Sequence, residues 1–184
     1  MQLPIQTSLK DGTSIELDDM HSDEITEVRA LLNLVIIEGQ TYPQAQPLSE
    51  EEFAAYWMSG DAFVVRLRND LAGNVNMKPG NILGAFYLKP NFPGRCSHIC
   101  NAGFIVQPSA RGLGIGRYMG ETMLAIARAK GYGAVMFNLI FSTNTPSLNL
   151  WKSLDFAIVG TIPNAVNLID SRTADAVIVY RALE

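Results

Sequence analysis

The chain has 184 residues, 14 Lys+Arg against 18 Asp+Glu for a net charge of −4, and 48% hydrophobic residues, the composition of a soluble globular protein built on one core, a single domain over 1–184. A pI near 5.2 with no run of Lys or Arg argues against nucleic acid as a partner. The absence of an apolar stretch of about 18 residues, and of a basic flank followed by an apolar run at the N-terminus, argues against a membrane span and a secretory signal.

Residues 2–8 and 13–17 alternate around Asp11-Gly12, which predicts an opening hairpin with a two-residue turn. From Ser22 to Glu38 the apolar positions Ile25, Val28, Leu31, Leu32, Val35 and Ile36 recur at three and four, one face of a helix that Gly39 stops. The acidic residues Asp18, Asp19, Asp23, Glu24 and Glu27 read as a solvated start of this helix. A proline-containing loop follows, and Ser49 with Glu52 has the capping-box spacing for a short helix from Glu50 to Met58. Segments 61–68 and 81–90 read as strands separated by a turn with Gly73, Pro79 and Gly80, and 97–107 as a strand ending at Pro108.

A glycine-rich turn then leads into a helix with Met119, Met123, Ile126 and Ala127 on its apolar face, closed by Gly131. Residues 133–141 are a near-continuous apolar run, as in a strand covered on both faces. A helix near Pro146–Leu154 and strands at 156–162 and 175–181 complete the chain. The order gives an α+β fold with one parallel crossover at 98–140. The charge is uneven, with 2 basic and 11 acidic residues in 1–60 against 12 and 7 in 61–184.

The turn Arg111-Gly112-Leu113-Gly114-Ile115-Gly116, flanked by Arg117, lies between a strand and a helix, where glycines let a ligand approach the backbone and unpaired helix N–H groups suit a phosphate. The dinucleotide pattern fails, because its third glycine would fall on Arg117 or Met119, and no Gly-Lys-Ser/Thr follows for a nucleotide-binding P-loop. What remains is R-x-x-G-x-G. Cys96 and Cys100, four apart on a presumed strand, would stand roughly 13 Å from each other, too far for a disulfide; reduced thiols point to the cytoplasm. Cys96, His98 and Cys100 are too spread along a strand to hold a metal, and none is expected.

VQPSARGLGIGRYMGETML resembles motif A of the GNAT (Gcn5-related) N-acetyltransferases, and Asn144 to Phe156 resembles their motif B. Four further blocks, GQTYPQ (39–44), GAFYLKPN with RCSHICNAGF (84–104), FNLIFSTN (137–144) and VGTIPNA (159–165), resemble the branch that acetylates azetidine-2-carboxylate and other proline analogues. The resemblance implies a mixed, mostly antiparallel sheet flanked by helices, and acetyl-CoA as cofactor. It implies a pyrophosphate site at Arg111 to Arg117, with Gly112, Leu113, Gly114, Ile115 and Gly116 between them, and a pantetheine contact at Asn144 beside Trp151. It also implies an oxyanion donor among the backbone N–H groups of Phe104, Ile105 and Val106, and three reaction-site carboxamides, Asn101, Asn138 and Asn144. Tyr42, Phe104 and Leu139, with Asn101 and Asn138, are the expected acceptor contacts, and a homodimer is the expected assembly.

Asn101 and Asn138 read either as satisfied core residues or as partners of one shared ligand, and adjacent strands favour the second. Trp151 occupies the position where the family often has a tyrosine acid, and an indole N–H cannot protonate a thiolate as a phenol can; Tyr118 is a lesser candidate. The expected activity is transfer of acetyl to a small imino or amino acid by direct attack on the thioester. The alternatives are another amine or peptide N-terminus as acceptor, or a non-catalytic acyl-CoA-binding module.

Overall fold

The computed structural model describes residues 2–69 and 77–183. Strands β1 (Ile5–Ser8) and β2 (Ser14–Asp19) form the opening hairpin. Its turn is longer than the two residues expected. Leu9 N–H donates to the Thr13 carbonyl (2.8 Å) and Gly12 N–H to the Leu9 carbonyl (3.0 Å), while the Asp11 carboxylate accepts from both the N–H and the hydroxyl of Thr13 at 3.0 Å. The Asp11 side chain thus favours a three-residue loop, closed by Gly12 at φ +90°, the left-handed position such loops need.

A single 3₁₀ turn (Ser22–Glu24) leads into α1 (Ile25–Glu38), which buries Val28, Leu31, Leu32, Val35 and Ile36 and ends at Gly39 in the left-handed region. The acidic segment is not merely solvated. Arg66 on the neighbouring strand donates to both Glu24 carboxylate oxygens and reaches the Asp18 carboxylate at 3.4 Å, so it clamps the helix start to the sheet. Helix α2 (Glu50–Trp57) begins with the capping box: Ser49 Oγ accepts from Glu52 N–H (3.2 Å) and Ser49 N–H donates to the Glu52 carboxylate (2.8 Å). Its Phe53 and Trp57 are fully buried.

The remaining strands are β3 (Asp61–Asn69), β4 (Ile82–Pro90), β5 (Ile99–Val106), β6 (Ala134–Phe141), β7 (Ala157–Asn167) and β8 (Thr173–Ala182). They join one eight-stranded sheet in the order β1-β2-β3-β4-β5-β6-β8-β7, antiparallel except between β5 and β6. At the β3–β4 turn, Gly80 at φ +91° donates to the Leu67 carbonyl; Gly73 lies outside the described residues. Helices α1 and α2 cover one face, packing on Val64, Ile82, Ala85, Tyr87 and Ile105. Helix α3 (Ile115–Ala129) and α4 (Thr145–Ser153) meet the other, where Met119, Met123 and Trp151 share a core with Leu83, Phe86 and Phe137.

Three local departures from regularity shape the site. Residues Gly94–Cys96 form a 3₁₀ turn after Pro93, and β5 starts only at Ile99, so Cys96 and His98 are not strand residues as expected; proline and a left-handed glycine end the extended chain first. Strands β5 and β6 pair only at Ile99↔Ala134 and Cys100↔Val135 and then part. On the far side of β6, Phe137 faces Val179 and Ile140 faces Val177, so Asn138 and Leu139 together oppose Ile178 in a bulge, which re-aims side chains.

Candidate active site

The wedge between β5 and β6 opens beside one wall of two adjoining cavities. The larger, about 720 Å³, runs between α1, the β5 edge and α4, and is lined by Glu38, Thr41, Phe104, Ile105, Val106, Arg111, Gly116, Asn144 and Trp151 among others. The smaller, about 280 Å³, is lined by Tyr42, Tyr56, Tyr87, Asn101, Gly103, Phe104, Asn138 and Leu139. Thr41, Phe104, Asn144, Ser147 and Trp151 belong to both walls.

Strand β5 supplies the shared backbone. In an antiparallel ladder alternate residues turn both their polar groups to the partner. Gln107 N–H donates to the Leu83 carbonyl and Asn91 N–H to the Ile99 carbonyl, which places Ile105, paired with Ala85, in the bonded set. Ile105 therefore spends its N–H on β4. Phe104 and Val106 turn theirs towards the open wedge, so the three expected backbone donors narrow to two. The Phe104 carbonyl, on that same side, accepts from the Tyr42 hydroxyl at 3.1 Å.

The glycine-rich turn has Gly112 at φ +84° and Gly114 at φ +93°, and Gly114 is the N-cap of α3. A Cβ on either would meet nothing within 4 Å. The first turn of α3 leaves the N–H groups of Ile115, Gly116 and Arg117 without intrahelical acceptors. Arg111 lines the larger cavity and pairs with Glu38 at 2.9 Å. Arg117 points elsewhere, to Ser153 Oγ (2.7 Å) and Glu121 (3.4 Å), and Leu113 packs against the core beneath α3.

Asn144 caps α4, its side-chain oxygen accepting from Ser147 N–H at 3.2 Å; its amide nitrogen has no part in the cap. Trp151, buried under Phe104 and Phe137 at ring distances of 5.0 and 4.5 Å, donates its indole N–H to Ser147 Oγ (2.9 Å). Tyr118 lines neither cavity. Its hydroxyl is buried beside Thr122, and burial raises its pKa above the ordinary value.

Asn101 and Asn138 both face the smaller cavity and are held by a third carboxamide, Asn91. Sequence reasoning missed Asn91, because an Asn after Pro90 reads as a turn residue. It also missed Tyr56 and Tyr87, whose rings meet edge-on at 5.7 Å with hydroxyls 3.4 Å apart. Lys89 Nζ sits 4.6 Å from the centre of the Tyr87 ring, a cation–π contact. Burial, with mutual repulsion among the phenols, raises the pKa values of Tyr42 and Tyr87, so they stay protonated donors at neutral pH. The Tyr87 ring lies over Gly103, where a Cβ would come within 2.4 Å of it; only glycine leaves that space. Among the described residues, no Asp, Glu, Lys, Arg or His lines the smaller cavity. Cys96 is exposed, and Cys100 is buried with its thiol pushed up to about 12 by burial, so the two do not form a site.

The chain belongs to the acetyltransferase (GNAT) family of acyl-transfer enzymes, whose match spans residues 32–156. It is an acetyl-CoA-dependent N-acetyltransferase. It is 38% identical to the N-acetyltransferase aca1 of Schizosaccharomyces pombe over 144 residues, covering 74% of this chain and 69% of that protein. It is 27% identical to protein SPT10 of Saccharomyces cerevisiae over 72% of this chain, and spans only 27% of that protein's length. Among solved structures, a GCN5-related N-acetyltransferase from Kribbella flavida superposes with a TM-score of 0.82 at 28% identity, covering 92% of this chain and 98% of the other. A phosphinothricin acetyltransferase from Sinorhizobium meliloti, in complex with acetyl-CoA, shares the fold at a TM-score of 0.79 and 18% identity, over 92% and 88% of the two chains.

The cavity residues fit this cofactor. The larger cavity is lined from Arg111 and Gly116 at the start of α3 to Asn144 and Trp151 on α4, and the left-handed glycines leave open space at the helix N-terminus where an anion is favoured. The Thr41 hydroxyl, buried and without a partner, gives the shared wall a free polar group.

Proposed function

We propose that the protein acetylates the amine of a small imino or amino acid, of the proline-analogue class typified by azetidine-2-carboxylate, by direct attack on the thioester, and that residues 1–184 form one catalytic domain. The observation that carries this reading is the smaller cavity: about 280 Å³, with carboxamides and phenols set among apolar walls and, among the described residues, lined by no ionised side chain. A zwitterion can be matched there by neutral donors and acceptors, whereas a polyamine would find no carboxylate among the described lining residues.

Acetyl-CoA supplies the activated acetyl group as a thioester. Asn101 and Asn138 hold the acceptor, with Tyr42, Phe104 and Leu139 around it. The N–H groups of Phe104 and Val106 stabilise the developing oxyanion, a role in which prepositioned donors are worth most. Gly112, Gly114 and the first N–H groups of α3 take the pyrophosphate, with Arg111 alongside, and Asn144 directs its free amide N–H groups to the pantetheine arm. With Trp151 in place of a tyrosine acid, Ser147 is a neutral hydrogen-bond donor at the junction: its oxygen accepts from the indole, leaving its O–H to hydrogen-bond the departing thiolate, which takes its proton from water. Among the described residues no side-chain base lines the pocket, so the acceptor's proton leaves through water, and positioning of the reactants carries much of the rate.

Thiol release from acetyl-CoA tests this with azetidine-2-carboxylate, spermidine and a peptide amine in parallel. Turnover with the first alone is expected; turnover only with either of the others overturns the assignment. The homodimer expectation is supported by edge strand β7, where Ile158 and Val159 are 65% and 56% exposed; the sedimentation mass at micromolar concentration should be that of two chains.

A further inference from the structure

Asn91 is absent from the lining of either cavity, yet it organises the polar face of the smaller one. Its backbone is fixed by donation from its N–H to the Ile99 carbonyl at 2.8 Å, just beyond the end of β4 and next to the last point where β5 and β6 still pair. Its side chain spans the wedge that the backbone ladder leaves open. Asn91 Oδ1 accepts from Asn101 Nδ2 (3.1 Å) on β5 and from Asn138 Nδ2 (2.6 Å) on β6, and Asn91 Nδ2 donates to Asn138 Oδ1 (3.0 Å).

These three bonds have a common sense. Turning Asn101 alone would set its oxygen against the Asn91 oxygen, and turning Asn138 alone would oppose oxygen to oxygen and nitrogen to nitrogen. The carboxamides therefore turn together or not at all. As arranged, Asn101 spends one amide hydrogen on Asn91 and keeps its oxygen unengaged, so it can accept from an acceptor's amine. Asn138 retains one amide hydrogen for a carboxylate. An isolated carboxamide on either strand could present either end.

We propose that Asn91 is a positioning residue: it sets the sense in which Asn101 and Asn138 present their carboxamides to the acceptor. This rests on the reading that those two hold the acceptor. Its own content is that Asn91 acts through them rather than by bracing the fold.

The test compares Asn91→Ala and Asn91→Asp with the parent, each also combined with Asn138→Ala, using whichever acceptor of the panel turns over. Asn91→Ala should raise the acceptor KM and lower kcat, together cutting kcat/KM about tenfold or more, with acetyl-CoA affinity unchanged. Asn91→Asp keeps an oxygen for both donors but cannot donate to Asn138, so it should fall between parent and alanine. In the Asn138→Ala background the Asn91→Ala change should cost much less, because residues acting through one another are not additive. Additive losses, or a lowered melting temperature with unchanged acceptor KM, overturn the proposal. A readout independent of any acceptor is the side-chain NH₂ resonances of Asn101 and Asn138 by NMR. Both should shift and exchange faster in Asn91→Ala, and unchanged resonances refute the proposal. Turnover by spermidine or a peptide alone would instead remove the amino-acid reading while leaving the resonance test standing.

Discussion

Replacing Gly114 with valine is expected to weaken acetyl-CoA binding by about 100-fold while leaving a folded protein. Gly114 is the N-cap of α3 at φ +93°, a conformation that costs a β-branched residue about 1–3 kcal/mol. The chain can relieve that strain only by rotating the turn, which redirects the N–H groups that face the anion site. No neighbour lies within 4 Å of the added Cβ, so the damage is not a clash in the core, and the side chain instead occupies space the ligand needs. Calorimetric titration with acetyl-CoA reads the affinity, and far-ultraviolet circular dichroism confirms the fold. Parent-like affinity in a folded variant would remove the pyrophosphate assignment.

The second large effect is expected for Asn101→Ala, which should lower kcat/KM for the acceptor by about 100-fold with acetyl-CoA affinity intact. A hydrogen bond to a charged group is worth about 1.5–3 kcal/mol, roughly ten- to a hundredfold in rate or binding. The upper end applies because the truncation also leaves Asn91 with one donor fewer. Steady-state kinetics against both substrates separates the two affinities. Near-parent turnover would show that Asn101 is only a satisfied strand residue.

What the sequence made legible was what short spacing encodes. The Ser49–Glu52 box, the three-and-four periodicity of α1, the glycines before α3 and the continuous apolar run of β6 each depend on neighbours a few positions apart, and each appears in the structure with near-identical limits. The placement of Asn101 and Asn138 on one cavity also followed, once adjacent strands and resemblance were combined. Asn91 was out of reach because its partners lie 10 and 47 positions away. The Asn138–Leu139 bulge depends on the register with β8, which no local pattern records. Tyr56 and Tyr87 carry no local signal of a site, since only the packing of α2 over β4 brings them to the cavity. Cys96 and His98 were misplaced for the opposite reason: the strand was started too early, where the turn Gly94–Cys96 after Pro93 still bends the chain and the ladder begins only at Ile99.

The early parting of β5 from β6 also bears on aggregation. An unpaired strand edge at the rim of a sheet is a template for other chains, and proteins ordinarily blunt it with charge or bulges. This molecule carries such an edge in its middle, at Phe104 and Val106, without either device. It is recessed between α1 and α4, whose side chains form the cleft walls, so a second chain's strand must displace a helix to reach it. The walls of the cleft thus keep a second chain's strand off those N–H groups while leaving a cavity of about 720 Å³ beside them, so one piece of architecture both opens the strand edge and guards it.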